Sequence, residues 1–188
     1  MWNFKYLALK RFISHQDTYY EFENGLAIPI TGLNRTDEGQ KGNGSGKSAL
    51  VEGIMVLIAG TPFRAKSAKD IVMDDTDDCE VEGELHNEVT QQTMRIYRRI
   101  FVGKKSTVVK LYIDGVLRED LKDLHPDQTN LEIEKLLGID IVDFKNYYVL
   151  SNDHHKPFFL ETDGKKKAIV NRFSKAEVID TCLMDVKR

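Results

Sequence analysis

Alternating apolar and polar residues predict β-structure at the start of the chain. Residues 3–12 predict a first strand and residues 17–23 a second, and Asn24-Gly25 favours a hairpin turn after it. The apolar run at residues 26–31 predicts a third strand. Pro29 lies inside that run and cannot donate a hydrogen bond to a β-ladder, which favours a place away from the centre of a sheet.

A second alternating region follows residue 79 and predicts three more strands. Its polar positions on the first strand are Glu80, Glu82, Glu84 and His86. Its apolar positions share the opposite face and are Val81, Leu85, Met94, Ile96, Ile100, Val109, Leu111 and Ile113. Turn signals separate the runs, including Asp114-Gly115. The pattern is typical of an antiparallel meander.

Helical patterns occupy the remaining segments. Residues 49–59 are almost entirely apolar and predict a buried helix that Gly60 and Pro62 close. The connecting stretch 61–78 has room for a short helix near residues 67–72, and its acidic run at 74–78 predicts a solvated loop.

After residue 118 the pattern predicts four helices. The first has a capping box at Thr129-x-x-Glu132 and ends at Gly138, and the next two cover about 141–150 and 164–173. Ser174-x-x-Glu177 predicts the start of a final helix. Its amphipathic stripe consists of Ile179, Cys182, Leu183 and Val186.

Charge and composition narrow the class of protein. The 188 residues carry 27 Lys+Arg and 30 Asp+Glu, a net charge of −3, which is not the basic footprint of a dedicated nucleic-acid binder. Contacts to DNA from a local patch stay open. Two cysteines make no disulfide scaffold, no signal-peptide core precedes the first strand, and no apolar run reaches the roughly 18 residues of a membrane span. We expect a soluble intracellular protein.

The stretch Gly42–Ser48, with the sequence GNGSGKS, carries the clearest chemistry. Its glycines let backbone N–H groups surround an anion, Lys47 can reach the β- and γ-phosphates of a nucleotide, and the Ser48 hydroxyl can bind Mg²⁺. The N-terminus of the following helix adds its positive dipole end. The expected nucleotide-binding residues are Asn43, Gly44, Ser45, Gly46, Lys47, Ser48 and Ala49, with Lys47 also catalytic.

This stretch departs from the formal phosphate-loop pattern in one place. Lys41 occupies the position of the first glycine, and we interpret residues 34–40 as an insertion at the loop entrance, outside the core. The alternative is a Gly/Ser-rich surface linker, although such linkers rarely end in Gly-Lys-Ser before an apolar helix. Gly39 or Gly42 can supply the turn that the missing glycine usually gives.

Together with the phosphate loop, the segments 10–18 and 20–26 resemble the opening of SMC-like ATPases of the SbcC type, with the Ser14-His15-x-Asp17-Thr18 turn as the narrower marker. These are ATPase subunits of nucleases for double-strand-break repair and recombination, in cells and in large phages. The resemblance implies an α/β P-loop NTPase fold, the N-terminal lobe of an ABC-ATPase head with a meander and a mixed sheet. It implies an ATPase lobe at 1–173 and the start of a coiled-coil arm at 174–188.

The resemblance also implies ATP and Mg²⁺ as cofactors and several partners. These are a C-terminal ATPase lobe in cis or in trans, a second copy of the head, a nuclease, and DNA bound without sequence specificity. The Walker B carboxylates and the signature motif of the family are not found in this sequence, so hydrolysis is expected to need that second lobe. The expected location is the cytoplasm, or the host cytoplasm if a phage encodes the chain.

Several finer assignments stay open. The family places a Mg²⁺-reaching glutamine where this chain has Ser151 and Asn152, and either can take that role through water. The His154-His155 pair beside Asp153 favours a polar loop over a metal site. The run Lys165–Lys167 is either a charged helix face or a contact to DNA phosphates.

Two other functions compete with the nuclease-associated ATPase. One is an SMC-like scaffold or defence-system protein that uses ATP mainly for dimerisation, without a nuclease partner. The other is a small-molecule kinase, which the meander and the absence of a lid with clustered arginines disfavour.

Overall fold

The fold is an α/β arrangement in which one sheet carries the helix that follows the predicted phosphate loop. A computed structural model describes residues 1–23, 25, 27–32, 46–64, 67–103, 105–122, 124–149 and 158–174. The sheet has six strands in the order β2-β1-β3-β4-β5-β6. Their bounds are β1 Trp2–Phe12, β2 His15–Glu21, β3 Asp78–Asn87, β4 Thr93–Phe101, β5 Val108–Ile113 and β6 Val116–Leu117.

Every pairing between these strands is antiparallel, so the expectation of a mixed sheet is wrong for the described residues. The meander itself is confirmed. Val81 and Leu85 on β3 are buried, as are Met94 and Ile96 on β4, because alternate residues of a strand point to opposite faces. Asp114 and Gly115 both have positive φ in the tight turn between β5 and β6, as the sequence predicts.

Helix α1 (Lys47–Ala59) lies on the buried face of the sheet and packs against β1, β3 and β4. Gly53 makes the close approach possible, because a β-carbon there would lie 2.7 Å from the Leu9 Cδ2. Gly60 closes the helix in the left-handed conformation, with its N–H donating to the Val56 carbonyl at 2.9 Å. Both the buried helix and its glycine end are confirmed.

A buried glutamate of α1, Glu52, holds the stretch that follows the helix through hydrogen bonds. The Glu52 carboxylate is 4% exposed and accepts hydrogen bonds from the backbone N–H groups of Phe63 and Arg64. A single 3₁₀ turn at Ala68–Asp70 confirms the short helix expected near residues 67–72. Glu52 therefore attaches the connecting stretch to α1.

Helix α2 (Pro126–Leu137) begins earlier than its expected capping box. His125 is the N-cap and its side chain accepts from the Asp127 N–H, while Pro126 occupies the first helical position. Thr129 is buried one turn inside the helix, so the prediction that it caps the helix is wrong. The Trp2 Nε1–H donates to the Leu136 carbonyl at 2.7 Å and links the end of α2 to β1.

A second correction concerns the apolar run before the phosphate loop. Residues 27–31 form no strand, and the side chains of Ile28 and Ile30 are exposed by 39% and 42%. Ala27, Pro29 and Thr31 are exposed as well. The run is apolar in composition, but it does not share the buried face of the sheet.

The chain divides into two compact units, Met1–Ile141 and Val142–Arg188. Helix α3 (Ile141–Asp143) begins at the last residue of the first unit and leads into a π-helical segment, Phe144–Tyr148, which replaces the expected continuous helix over 141–150. Helix α4 (Asp163–Phe173) agrees with the prediction. Residues 175–188, with the stripe of the expected final helix, lie outside the described residues, and the boundary after 173 stays a prediction.

Candidate nucleotide-binding site

The described part of the phosphate loop is its C-terminal end, where the chain enters α1. Gly46 is the N-cap with φ 81°, a left-handed conformation that glycine adopts without steric cost. Its carbonyl accepts the first helical hydrogen bond, from the Leu50 N–H at 3.1 Å. Gly46 has no side chain with which to cap the helix, and the first turn of α1 contains no acidic residue. Within this first turn, no acidic side chain offsets the positive end of the helix dipole.

The three expected site residues that follow Gly46 differ in accessibility. Lys47 is half-buried, Ser48 is exposed, and the Ala49 side chain is 6% exposed. Ala49 can therefore offer a ligand only its backbone N–H. Ser48 presents its hydroxyl at the surface, where a hydrated Mg²⁺ has access.

The other expected site residues lie outside the described part of the chain. They are Asn43, Gly44 and Ser45 of the loop, Ser151 and Asn152 of the expected Mg²⁺ contact, and Lys41, the insertion at 34–40 and the pair His154-His155. Their roles stay predictions.

The Ser14-His15 turn contacts the start of α1. The His15 Nε2 lies 3.1 Å from the Gly46 carbonyl oxygen, and the His15 Nδ1 lies 2.9 Å from the Thr18 Oγ1. A β-carbon on Gly46 would lie 3.1 Å from both the Ser14 Oγ and the His15 Nε2. The sequence motif that suggested a family thus has a physical counterpart, a contact between the β1–β2 turn and the phosphate loop.

This contact was not predicted from the sequence. His15 and Gly46 are 31 positions apart, which gives no local signal of the contact, and the resemblance marks the turn without assigning it a role. The only available signal is composition: a histidine, a serine and a threonine within five residues, in a turn between two strands.

An ion-pair cluster lies at the start of β3, at Asp78. The Asp78 carboxylate accepts from the Arg99 Nε and from the Arg11 Nη2, the latter at 3.3 Å, and Arg11 also pairs with Glu80 at 2.9 Å. Burial raises the pKa of Asp78, but the hydrogen bonds from Arg99 and Arg11 outweigh burial and hold that pKa below its usual value.

Asp78 therefore corrects the prediction of a solvated acidic loop over 74–78. Asp74, Asp75 and Asp77 are exposed, but Asp78 belongs to β3 and is buried. Within the described ranges, no group of three or more His, Cys, Asp or Glu side chains is arranged to hold a metal ion.

The three lysines of α4 were expected either to form a charged face or to contact DNA. Lys165 lies 3.4 Å from a Glu161 carboxylate oxygen, and Lys166 lies 3.5 Å from one of Asp163. Lys167 is exposed. In each pair at least one partner is exposed to solvent, and ion pairs of this kind one helical turn apart contribute little to stability, so both interpretations stay open.

Comparisons with known proteins give two curated relatives. The chain is 28% identical over 148 residues to exonuclease subunit 2 of Enterobacteria phage T4, and 29% identical over 128 residues to exonuclease subunit 2 of Escherichia phage RB69. The matches cover 78% and 68% of this chain but 25% and 22% of those proteins, so the chain spans about a quarter of their length. No family model matches the chain.

Solved structures give weaker likenesses. A structure of the recombination mediator protein RecF with ATP has a TM-score of 0.48 and 21% identity over 66% of this chain and 30% of that one. A second RecF structure has a TM-score of 0.47 and 24% identity over 63% of this chain and 28% of that one. Scores of this size do not establish a common fold. In the described part of this chain, none of the helices is both long and apolar enough to cross a membrane.

Proposed function

We propose that this chain is the ATP-binding lobe of an SbcC-type ATPase that acts with a nuclease in DNA end processing, repair or recombination. The main support for the nucleotide site is that Gly46, the N-cap of α1, is followed directly by Lys47 and Ser48, the first two residues of the helix. The sequence motif ends at a helix N-terminus whose N-cap is a glycine and whose first turn contains no acidic residue. Such a helix start binds phosphate through its free N–H groups and its dipole.

The residues at this helix start match the parts of a triphosphate and its Mg²⁺. The backbone N–H groups of Lys47, Ser48 and Ala49 belong to the first turn of α1, the part of a helix at which phosphate groups accept hydrogen bonds. The Lys47 ammonium supplies the positive charge that binds the β- and γ-phosphates, and the exposed Ser48 hydroxyl is the ligand for Mg²⁺. When bound, Mg²⁺ neutralises charge on the phosphates.

The two phage relatives favour the nuclease-associated interpretation over an SMC-like scaffold. Both are named as subunits of an exonuclease, and the match covers more than two thirds of this chain. By analogy, the proposed partners are a nuclease, a C-terminal ATPase lobe, a second copy of the head, and DNA bound without sequence specificity. The proposed location is the cytoplasm, or a host cytoplasm.

Titration calorimetry with Mg-ATP tests the nucleotide site on the 188-residue chain. Wild type should show saturable binding that Lys47→Ala weakens at least about tenfold, because the ammonium makes charge-assisted contacts to phosphate. The matched control is Lys69→Ala, which removes an exposed lysine of the 3₁₀ turn and should leave the affinity unchanged. Circular dichroism confirms that each variant is folded. Equal affinity for wild type and Lys47→Ala would remove the proposed site.

Copurification separates the nuclease-associated ATPase from the scaffold. If the proposal holds, the chain expressed with its neighbouring genes should carry a nuclease through purification. Recovery of the ATPase with no nuclease activity would favour the scaffold.

A further inference from the structure

We infer that His15 is a positioning residue for the phosphate loop, holding the Gly46 carbonyl so that the N–H groups at the start of α1 stay directed at the phosphates. This inference rests on the proposed function. The residues that carry it are Ser14, His15 and Thr18 on one side and Gly46 on the other.

The chemistry of the acceptor fixes the proton on His15. The Gly46 carbonyl oxygen can only accept, so the His15 Nε2 must carry the hydrogen of the 3.1 Å contact. In the neutral ring the Nδ1 is then an acceptor, and the Thr18 hydroxyl at 2.9 Å donates to it. Thr18 thereby sets the tautomer and the ring orientation that the contact with Gly46 requires.

The hydrogen bond from His15 constrains Gly46, the N-cap residue from which the first turn of α1 begins. The Gly46 carbonyl accepts from the His15 Nε2 and from the Leu50 N–H together. The peptide group whose oxygen is held in this way contains the Lys47 N–H, since that N–H belongs to the same planar unit. Fixing the carbonyl therefore also fixes the direction in which the Lys47 N–H points.

The β1–β2 corner that presents His15 is held in an unusual backbone conformation. Ile13 has φ 51°, and Arg11 also has φ 51°. Positive φ is a genuine outlier for a β-branched residue and costs energy that the surrounding structure must offset. Two backbone hydrogen bonds of 2.8 Å do so, from the Ile13 N–H to the Ile71 carbonyl and from the Met73 N–H to the Arg11 carbonyl.

Because neighbouring segments hold the β1–β2 corner in place, the corner can position the His15 side chain. Phe12 is completely buried and bridges to Val72, so the corner cannot shift without disturbing the core. The strain lies directly beside Ser14 and His15, whose side chains would each lie 3.1 Å from a β-carbon on Gly46. A turn whose only task was to reverse the chain would have no need of a β-branched residue at positive φ.

The test is the affinity for Mg-ATP of the 188-residue chain, measured by calorimetry for a set of variants. His15→Ala removes the donor and should raise the dissociation constant about tenfold, the effect of one hydrogen bond. His15→Gln keeps an N–H donor near the Nε2 position and should stay within about threefold of wild type. The matched control His86→Ala alters a half-buried histidine on β3 and should have no effect.

Rescue by glutamine but not by methionine separates positioning from packing, because methionine fills a similar space to glutamine but carries no N–H donor. If His15→Ala does not fold, Thr18→Val serves instead, because it removes the hydroxyl that orients the ring and should weaken binding about threefold.

The outcomes are distinguishable from failure of the proposed function. Binding that is lost in Lys47→Ala but equal to wild type in His15→Ala and in Thr18→Val overturns the inference and leaves the nucleotide site intact. Equal weakening by His15→Ala and His15→Gln also overturns it. Equal binding by wild type and Lys47→Ala removes the nucleotide site and the inference together.

Discussion

The Arg98 Nε donates to the Leu57 carbonyl oxygen at 2.8 Å, so a strand residue closes the end of the helix whose start forms the proposed nucleotide site. The Arg98 Nη2 also lies 3.4 Å from the Ile58 carbonyl. Arg98 is 1% exposed, and burial lowers the pKa of its guanidinium to about 9, so it remains charged at neutral pH. A cation at a helix C-terminus complements the helix dipole.

We predict that Arg98→Met lowers the free energy of unfolding by about 2 kcal/mol. Methionine fills much of the space but leaves the Leu57 and Ile58 carbonyls without this donor, and buried acceptors without partners are costly. Urea unfolding measures the effect. Arg95→Met is the control, because Arg95 is a half-buried β4 residue that stacks over Tyr112 at 4.1 Å on the other face, and we expect a change of at most about 1 kcal/mol. An Arg98→Met variant as stable as wild type would show that the contact contributes nothing.

We predict that Gly53→Ala destabilises the protein by about 1–3 kcal/mol, although alanine is the better helix former. The added β-carbon would lie 2.7 Å from the Leu9 Cδ2 and would push α1 away from β1. The control is Gly164→Ala in the first turn of α4, where a β-carbon would contact nothing within 4 Å and the change should be neutral or slightly stabilising. Thermal unfolding measures both, and two variants of equal stability would contradict the close approach.

Asp78 predicts a dependence of stability on pH. Its pKa is lower in the folded protein than in the unfolded chain, because the hydrogen bonds from Arg99 and Arg11 outweigh burial. Because the Asp78 pKa is lower in the folded protein, the charged carboxylate stabilises the folded state at any pH above the unfolded-state pKa, which is near 3.9. This stabilisation is lost as the pH falls through the folded-state pKa. Asp78→Asn should therefore cost about 1 kcal/mol at pH 7.

The difference between wild type and Asp78→Asn should disappear at a pH below the folded value of the Asp78 pKa, where the wild-type side chain is protonated too. Urea unfolding over a pH series shows the trend, and Asp77→Asn, at an exposed neighbouring position, is the control. A difference that stays constant down to acid pH would exclude the ion pairs as its cause.

We predict that the 188-residue chain alone hydrolyses ATP at a negligible rate. Hydrolysis needs a group that orients the attacking water and charge stabilisation around the γ-phosphoryl. The sequence offers no apolar strand that ends in Asp-Glu and no second glycine-rich helix start. Phosphate release measures turnover, and adding a C-terminal lobe, in cis or as a separate polypeptide, should restore it. Turnover by the chain alone, lost in Lys47→Ala, would point to a catalytic carboxylate in this lobe, with Glu80–Glu84 the first place to examine.

The meander could be predicted because its signal is local. Alternation along β3, β4 and β5 identifies the face that α1 buries, and Gly60 marks the helix end by its own conformational freedom. The same reasoning failed for residues 27–31, because an apolar run without alternation does not show whether a partner strand exists.

Contacts distant in sequence could not be predicted. Asp78 was assigned to a loop because its sequence neighbours are acidic, and only the sheet brings Arg11 and Arg99 to it. The approach of His15 to Gly46 likewise depends on the β1–β2 corner meeting the start of α1. For the candidate site, the phosphate-loop residues were predicted from the motif, and the residues that support them were not.

The most direct test of the nucleotide site is hydrogen exchange of the 188-residue chain with and without saturating Mg-ATP. The account predicts slower exchange in residues 46–50 on addition of Mg-ATP, because bound phosphates cover the N–H groups at the start of α1, and no such change in Lys47→Ala. Exchange in β4, Thr93–Phe101, should stay the same in both. Protection that appears only away from residues 46–50, or that persists unchanged in Lys47→Ala, would contradict a nucleotide site at this helix.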